Sequence, residues 1–256
     1  MKTNRVKTLL AEGKICIGGW ATIGHPTVTE IMGLVGFDWV LVDCEHGPLS
    51  FETAQLLLQG MSGSEAVPFV RVADSDAAMI KRALDIGAMG VIVPLVNDWQ
   101  AAERAVKATK YPPQGVRGIG VPRASQYGLR FDEYTARANE EIMTIIQIEH
   151  ADAVKNLDDI VSVPGIDLLF VGPVDLAGSY GHVVIGGKQP PEVTQAVDKI
   201  VTTAQRAAIP LGCWVPNAEA ANQRIAQGFQ FIGISTDNLL LISACQNALQ
   251  AIKKPT

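Results

Sequence analysis

Four stretches of this sequence carry ionisable or amide residues at the ends of apolar runs: Asp43-Cys44-Glu45-His46-Gly47, Arg71 in VPFVRV, Gln147-Ile148-Glu149, and Gly172-Pro173-Val174-Asp175. Charged groups are costly in apolar surroundings unless paired or used, so such endings point to one convergent polar site. A set of purely structural salt bridges is the competing explanation.

Each residue type brings its own chemistry. Glu149 and Asp175 offer two oxygen ligands with positions to spare, which suits a hard divalent ion such as Mg²⁺ or Mn²⁺. The same pair could instead work as acid and base without a metal. His46 is the one histidine of four inside a dense polar cluster, and an ordinary pKa of about 6.5 fits it for proton transfer near neutrality. Asp43, earlier on the same run, could accept a bond from the ring and fix its tautomer. Alternatively, His46 satisfies a loop carbonyl. Arg71 needs an anion, and a substrate carboxylate, a developing oxyanion, or a structural bridge to Asp43 or Glu45 would serve. Cys44 lies between two acids, which raise a thiol pKa, so it reads as packing. His25, His150 and His182 lie at or beside loops and read as bystanders.

Two absences narrow the chemistry. Lys14 begins a strand, while Lys81, Lys107 and Lys155 fall in helical segments, so a Schiff-base mechanism lacks its nucleophile. Cys213-Trp214-Val215-Pro216 and Ile234-Ser235-Thr236-Asp237 lack the glycine pairs of a barrel phosphate site. What remains is a metal pair, a carboxylate-binding arginine and a histidine base, the equipment for enolising a 2-oxo acid.

The elements that must hold these residues follow from periodicity. Short β-branched runs begin at Ile15, Trp39, Val67, Gly90, Ile142, Asp167, Pro210 and Phe231. Longer alanine- and leucine-rich segments follow them, including Thr53–Gly60, Asp76–Ile86, Trp99–Thr109 and Asn238–Ile252. Eight such units in 256 residues predict one (β/α)8 TIM barrel, a single domain over residues 1–256, with its site at the carboxyl ends of the strands. One long irregular stretch, Tyr111 to Glu140, reads as an ordered excursion, either a functional loop or a subunit-contact arm. A second insertion, Gly178 to Gln189, is placed to cover the site.

Composition excludes several classes. The chain is 48% hydrophobic and 18% charged with a net charge of −5, which suggests neither a nucleic-acid partner nor an anionic membrane surface. Glu12 and Lys14 interrupt the N-terminal apolar stretch, and no long uncharged apolar run follows, so neither a secretory signal nor a membrane span is expected. The four cysteines are scattered without a CxxC pair, which fits a cytoplasmic location.

The sequence resembles the HpcH/HpaI aldolase family over nearly its whole length. The resemblance is carried by VDCEHGPLSFET, PFVRV, KRALDIGAMGVIVPLV, YPPQGVRGIG, QIEHADAVKNLDDI and VPGIDLLFVGPVDLAGSYG. It implies a phosphoenolpyruvate/pyruvate-type barrel and a class II, metal-dependent aldehyde-lyase that cleaves a 4-hydroxy-2-oxo acid to pyruvate or hydroxypyruvate and an aldehyde. It further implies a homo-oligomer, a hexamer of two trimers, with the last helix packing on a neighbour.

Carried over by motif, Glu149 and Asp175 would hold Mg²⁺, Mn²⁺ or Co²⁺. His46, supported by Asp43, would be the base, and Arg71 would bind the enolate oxygen. Gln147 and the backbone around Gly172, Pro173, Val174 and Asp175 would hold the pyruvate carboxylate. Trp20 would wall the acceptor pocket, with core packing as its alternative. Many relatives have a small hydroxyl residue after QIE, where this chain has His150. A metal-dependent lyase of another oxo acid or an acyl-CoA thioester would share most of these residues, and a non-catalytic binding barrel is the outsider.

Overall fold

The computed structural model describes residues 1–184 and 189–253. Runs this rich in Val, Ile, Leu and Phe are too apolar for a strand with one wet face. Parallel strands wrapped by helices cover both faces. The runs form β1 (Cys16–Ala21), β2 (Trp39–Asp43), β3 (Val67–Arg71), β4 (Gly90–Val93), β5 (Met143–Ile148), β6 (Leu168–Val171), β7 (Leu211–Val215) and β8 (Phe231–Thr236). They pair in parallel in chain order, and β8 returns to β1 to close the barrel. Every strand starts within one residue of its expected position.

Helices alternate with the strands: α1 (Arg5–Ala11), α2 (Pro26–Leu34), α3 (Phe51–Gly60), α4 (Ala77–Asp85), α5 (Trp99–Thr109), α6 (Phe131–Glu141), α7 (Ala151–Lys155), α8 (Leu157–Val161), α9 (Pro173–Ser179), α10 (Pro191–Ala207), α11 (Ala218–Ala226) and α12 (Asp237–Ala251). Local chemistry sets several of their starts. Asp76 and Asp98 cap α4 and α5 by accepting first-turn amides. His25 and His150 cap α2 and α7, each accepting an amide on Nδ1. Two of the histidines set aside as bystanders are thus helix caps.

The core has two layers. One fills the space between strands and helices; the other fills the barrel itself. Inside, Trp39 and Phe231 stack with centroids 3.8 Å apart, and Phe69 and Phe170 meet Phe231 edge-on. Gly18 makes room for this plug, because a Cβ there would lie 2.0 Å from the Trp39 ring. Val6 and Leu10 of α1 pack into the same cluster from below, and Asn4 Nδ2 ties α1 down by donating to Met89 O and Glu141 O.

The Tyr111–Glu140 stretch is less irregular than expected. Its second half is helix α6, whose buried stripe is Tyr134 and Ala138 and whose first turn carries Asp132 and Glu133. The rest runs along the barrel face opposite the strand ends. Arg117 pairs there with Asp85 at 2.8 Å, and Arg123 donates to Ile86 O, both at the end of α4. A loop joining a helix to the next strand belongs to this face. Of the Gly178–Gln189 insertion, residues 185–188 lie outside the described residues.

Helix α12 is exposed along nearly its whole length, including Leu239, Leu241, Ile242 and Leu249. Among the described residues no helix is long and apolar enough to cross a membrane.

Candidate active site

The register of β2 against β3 pairs Asp43 with Arg71 at the top of the barrel. Arg71 Nε donates to Asp43 Oδ1 at 2.9 Å and Nη2 to Oδ2 at 2.7 Å. Glu45 Oε2 lies 2.8 Å from Arg71 Nη1, an ion pair outside hydrogen-bonding geometry. The guanidinium sits 5.2 Å from the Trp20 ring centroid. Burial alone would raise the Asp43 carboxyl, but the bonded Arg71 outweighs it and holds the carboxyl below its usual range. Glu45, buried and less well compensated by Arg71, is raised. The structural bridge is therefore formed, and it leaves Arg71 with N–H donors still to give.

Asp43 does not meet the His46 ring. Its Oδ1 accepts the Glu45 and His46 backbone amides at 3.1 and 3.4 Å, and its Oδ2 also takes Trp20 Nε1 at 3.1 Å. The expectation that Asp43 fixes the His46 tautomer is corrected: Asp43 shapes the turn that carries His46, because its oxygens are already filled by Arg71, Trp20 and backbone. The His46 side chain is exposed at the cavity wall. Trp20 is 3% exposed and packs on Phe170 and Trp39, so core packing is its larger role although its edge lines the cavity. The Cys44 thiol is pushed up to about 11 by burial first and Asp43 second, as befits a packing residue.

Glu149 leaves the end of β5 buried, with 4% exposed. Leu95 N donates to its Oε1 at 2.8 Å, and Gln147 Nε2 donates to its Oε2. Burial raises its carboxyl above the ordinary value, and the charge of Asp175 adds to the rise, against the two hydrogen bonds and Arg71. Asp175 stands in the first turn of α9, exposed to the cavity.

Two of the residues expected to hold a substrate carboxylate do other work. Gln147 gives one N–H of its side-chain amide to Glu149, and its Oε1 is buried without a partner among the described residues. Its Nε2 carries a second N–H. The Gly172 amide is bonded to Ile148 O, and this residue's importance is its missing side chain, since a Cβ would stand 2.9 Å from Glu149 Cβ. Pro173 has no N–H to give, which leaves the first-turn amides of Val174 and Asp175.

These residues fit a hydrated divalent ion. Two carboxylates of like charge approach each other, one is buried and raised, and a neighbouring orphaned amide oxygen is suited to an O–H donor such as a coordinated water. Among the described residues no group of three or more His, Cys, Asp or Glu converges in metal-holding geometry. The cavity lined by Gln147, Gly172 and Asp175 measures about 990 Å³. No lysine lines it among the described residues.

Leu95 and Asp237 went unseen in the sequence. Leu95 acts through its amide and holds a left-handed φ of 56°, so its side-chain identity gives no signal. Asp237 is buried and accepts from Thr22 N, Ile23 N and Thr22 Oγ1, pinning the loop after β1 at the cavity rim. An acid directly after the last strand was the available clue.

A family profile described as HpcH/HpaI aldolase/citrate lyase matches residues 17–244. The 5-keto-4-deoxy-D-glucarate aldolase of Shigella dysenteriae serotype 1 (strain Sd197) is 37% identical over 252 residues, covering 98% of this chain and 97% of its own. A solved HpcH/HpaI aldolase/citrate lyase family protein from Burkholderia cenocepacia J2315 superposes with a TM-score of 0.92 at 32% identity, covering 97% of this chain and 98% of that one. An HpcH/HpaI aldolase from Desulfitobacterium hafniense DCB-2 gives 0.89 at 29% identity, covering 100% and 98%. With the barrel, the cavity and these matches in agreement, the chain belongs to the HpcH/HpaI aldolase/citrate lyase family.

Proposed function

We propose that this protein is a divalent-metal-dependent aldolase that reversibly cleaves a 4-hydroxy-2-oxo acid into pyruvate, or hydroxypyruvate, and an aldehyde. The observation that carries the reading is Glu149: a buried carboxylate held by Leu95 N and Gln147, facing Asp175 and close enough to Arg71 to feel its charge. The aldolase names of the relatives support the reaction class. The eight strands share one closed sheet, which supports reading the chain as one domain.

Glu149 and Asp175 would hold the ion, which when bound supplies Lewis acidity toward the 2-oxo acid. The chain's own residues account for the rest. The Val174 and Asp175 amides at the start of α9 orient the substrate carboxylate. Arg71, fixed by Asp43 and Glu45, presents its remaining N–H groups to the C2 oxygen as negative charge develops there. His46, directly or through water, takes the proton of the 4-hydroxyl. The C3–C4 bond then breaks, its electron pair passes to the three-carbon fragment as an enolate, and the aldehyde departs. A proton delivered to C3 completes pyruvate.

The apolar exposed face of α12 supports a homo-oligomer in which another copy covers it.

The test is exchange of the pyruvate C3 protons with deuterated solvent under Mg²⁺, Mn²⁺ or Co²⁺, followed by aldol addition to a panel of aldehydes. Metal-dependent exchange is expected from the wild type and not from Glu149→Ala or Asp175→Ala. Full activity of both variants in the presence of chelator would remove the metal assignment.

A further inference from the structure

Helix α12 buries a single residue, and that residue is a carboxylate: Asp237, 6% exposed. Its Oδ2 accepts the Thr22 and Ile23 amides at 2.9 and 2.7 Å. Its Oδ1 accepts the Thr22 hydroxyl at 2.7 Å and the Asn238 amide at 2.8 Å. Apart from the Asn238 amide, these donors belong to the turn that follows β1. Hydrogen bonds to a charged acceptor are the stronger kind, so the turn is firmly held.

The end of β8 is shaped to deliver this carboxylate. From Gly18 to Trp20 β1 advances two residues while β8 advances three, from Gly233 to Thr236, so β8 bulges. Ser235, within the bulge, holds a φ of 57°, a conformation uncommon for a residue with a side chain and one that the surrounding structure must maintain. The extra residue sets Thr236 opposite Trp20, where it lines the cavity, and leaves Asp237 beside the turn. Thr22 and Ile23 line the same cavity. They follow β1, which stands four strands from β5 in the closed sheet and so across the mouth from Gln147 and Glu149.

We infer that Asp237 is a positioning residue for the reaction: it holds Thr22 and Ile23 as the wall against which the aldehyde half of the substrate binds, without touching the substrate itself. The inference rests on the aldolase reading above. The acid half is held by groups from β2, β3, β5 and the start of α9, none of which Asp237 bonds. A wall contributes equally to the ground state and the transition state, so loosening it weakens binding rather than the chemical step. Asparagine cannot replace the carboxylate. With one acceptor oxygen in place of two, its NH2 group must face either the paired turn amides or the Asn238 amide.

Asp237→Asn tests this. With pyruvate and Mn²⁺, KM for glyceraldehyde should rise about tenfold while kcat changes by less than about twofold, and pyruvate C3 exchange should match the wild type. A carboxylate that serves the fold alone would lower aldol addition and C3 exchange together, or neither, and either result overturns the inference. Hydrogen–deuterium exchange gives a second reading. Peptides spanning residues 20–25 should exchange about tenfold faster in the variant, with those of β2 and β3 unchanged, and equal exchange in variant and wild type also overturns it. Should the variant fail to fold, the wild type decides: with pyruvate bound, the same peptides should exchange more slowly on adding glyceraldehyde, and unaltered exchange overturns the inference. Absence of C3 exchange in the wild type would instead remove the aldolase reading itself.

Discussion

Asp43 and Arg71 are register partners on adjacent strands, and their side chains close a two-point ion pair, at 2.9 and 2.7 Å, at the top of the barrel. The pair is buried, with side-chain exposures of 2% and 9%. Removing one member of a buried pair strands the other and costs about 3 kcal/mol. Asp43→Asn should therefore lower stability by roughly that amount in urea denaturation. It should also loosen the turn bearing His46, because Asp43 holds that turn's amides.

The same carboxyl predicts an acid limb. Its folded pKa is lowered, the net result of Arg71 prevailing over burial. An acid with a lowered folded pKa contributes stability that is complete above its ordinary value, about 4, and lost as pH falls through the lower folded value. The stability gap between wild type and Asp43→Asn should narrow as pH is taken below about 4. A gap that stays constant through this range would show that Asp43 is not the group responsible.

Glu149 predicts an opposite response to its neutral isostere. Its carboxyl is raised by burial and by Asp175, so in the absence of an ion the fold disfavours its charge. Glu149→Gln keeps an oxygen for Leu95 N and relieves that repulsion. Thermal unfolding in chelator should show the variant at least as stable as wild type near neutral pH. Adding Mn²⁺ should raise the midpoint of the wild type and leave the variant where it was.

Gly172 makes a steric prediction. Alanine there places a Cβ 2.9 Å from Glu149 Cβ and 3.2 Å from its Oε2. Overpacking of this kind costs about 1–3 kcal/mol and displaces the neighbour. Gly172→Ala should weaken Mn²⁺ binding in calorimetry and lower aldol turnover, while the circular dichroism of the barrel is preserved. Wild-type metal affinity in the variant would show that the crowding is absorbed elsewhere.

Lys110 predicts an alkaline limb on the opposite face. Its Nζ donates to Asn139 O and Ile142 O, and its pKa is lowered to about 8, chiefly by burial. Between that value and the ordinary one, about 10.5, the unfolded chain binds more protons than the folded one, so this group's contribution to stability rises with pH. Lys110→Met should lack that rise when unfolding free energies are compared at about pH 7.5 and 9.5.

The sequence was most legible where residue type and position coincide. Ionisable side chains at the ends of apolar runs located the mouth, and the β-branched runs gave every strand its start. What stayed hidden was decided by orientation. The bond from Gln147 Nε2 to Glu149 has no mark in residue type, and Asp43 reads as a partner of the His46 ring until Arg71 and Trp20 are seen to occupy it. Leu95 contributes an amide, which every residue but proline possesses. Helix α6 was hidden by the glycines and prolines before it, which made the whole Tyr111–Glu140 stretch look irregular.

The aromatic plug around Trp39 and Phe231, with α1 packed beneath it, makes the barrel a vessel closed below and open at its mouth. Whatever binds beside Gln147 and Asp175 shares the cavity with anything nearer the mouth. On the aldolase reading this would impose a queue: a three-carbon acid held beneath the aldehyde would arrive first and depart last. The kinetic order of the reaction would then be a property of the plug, written into residues that never touch the substrate.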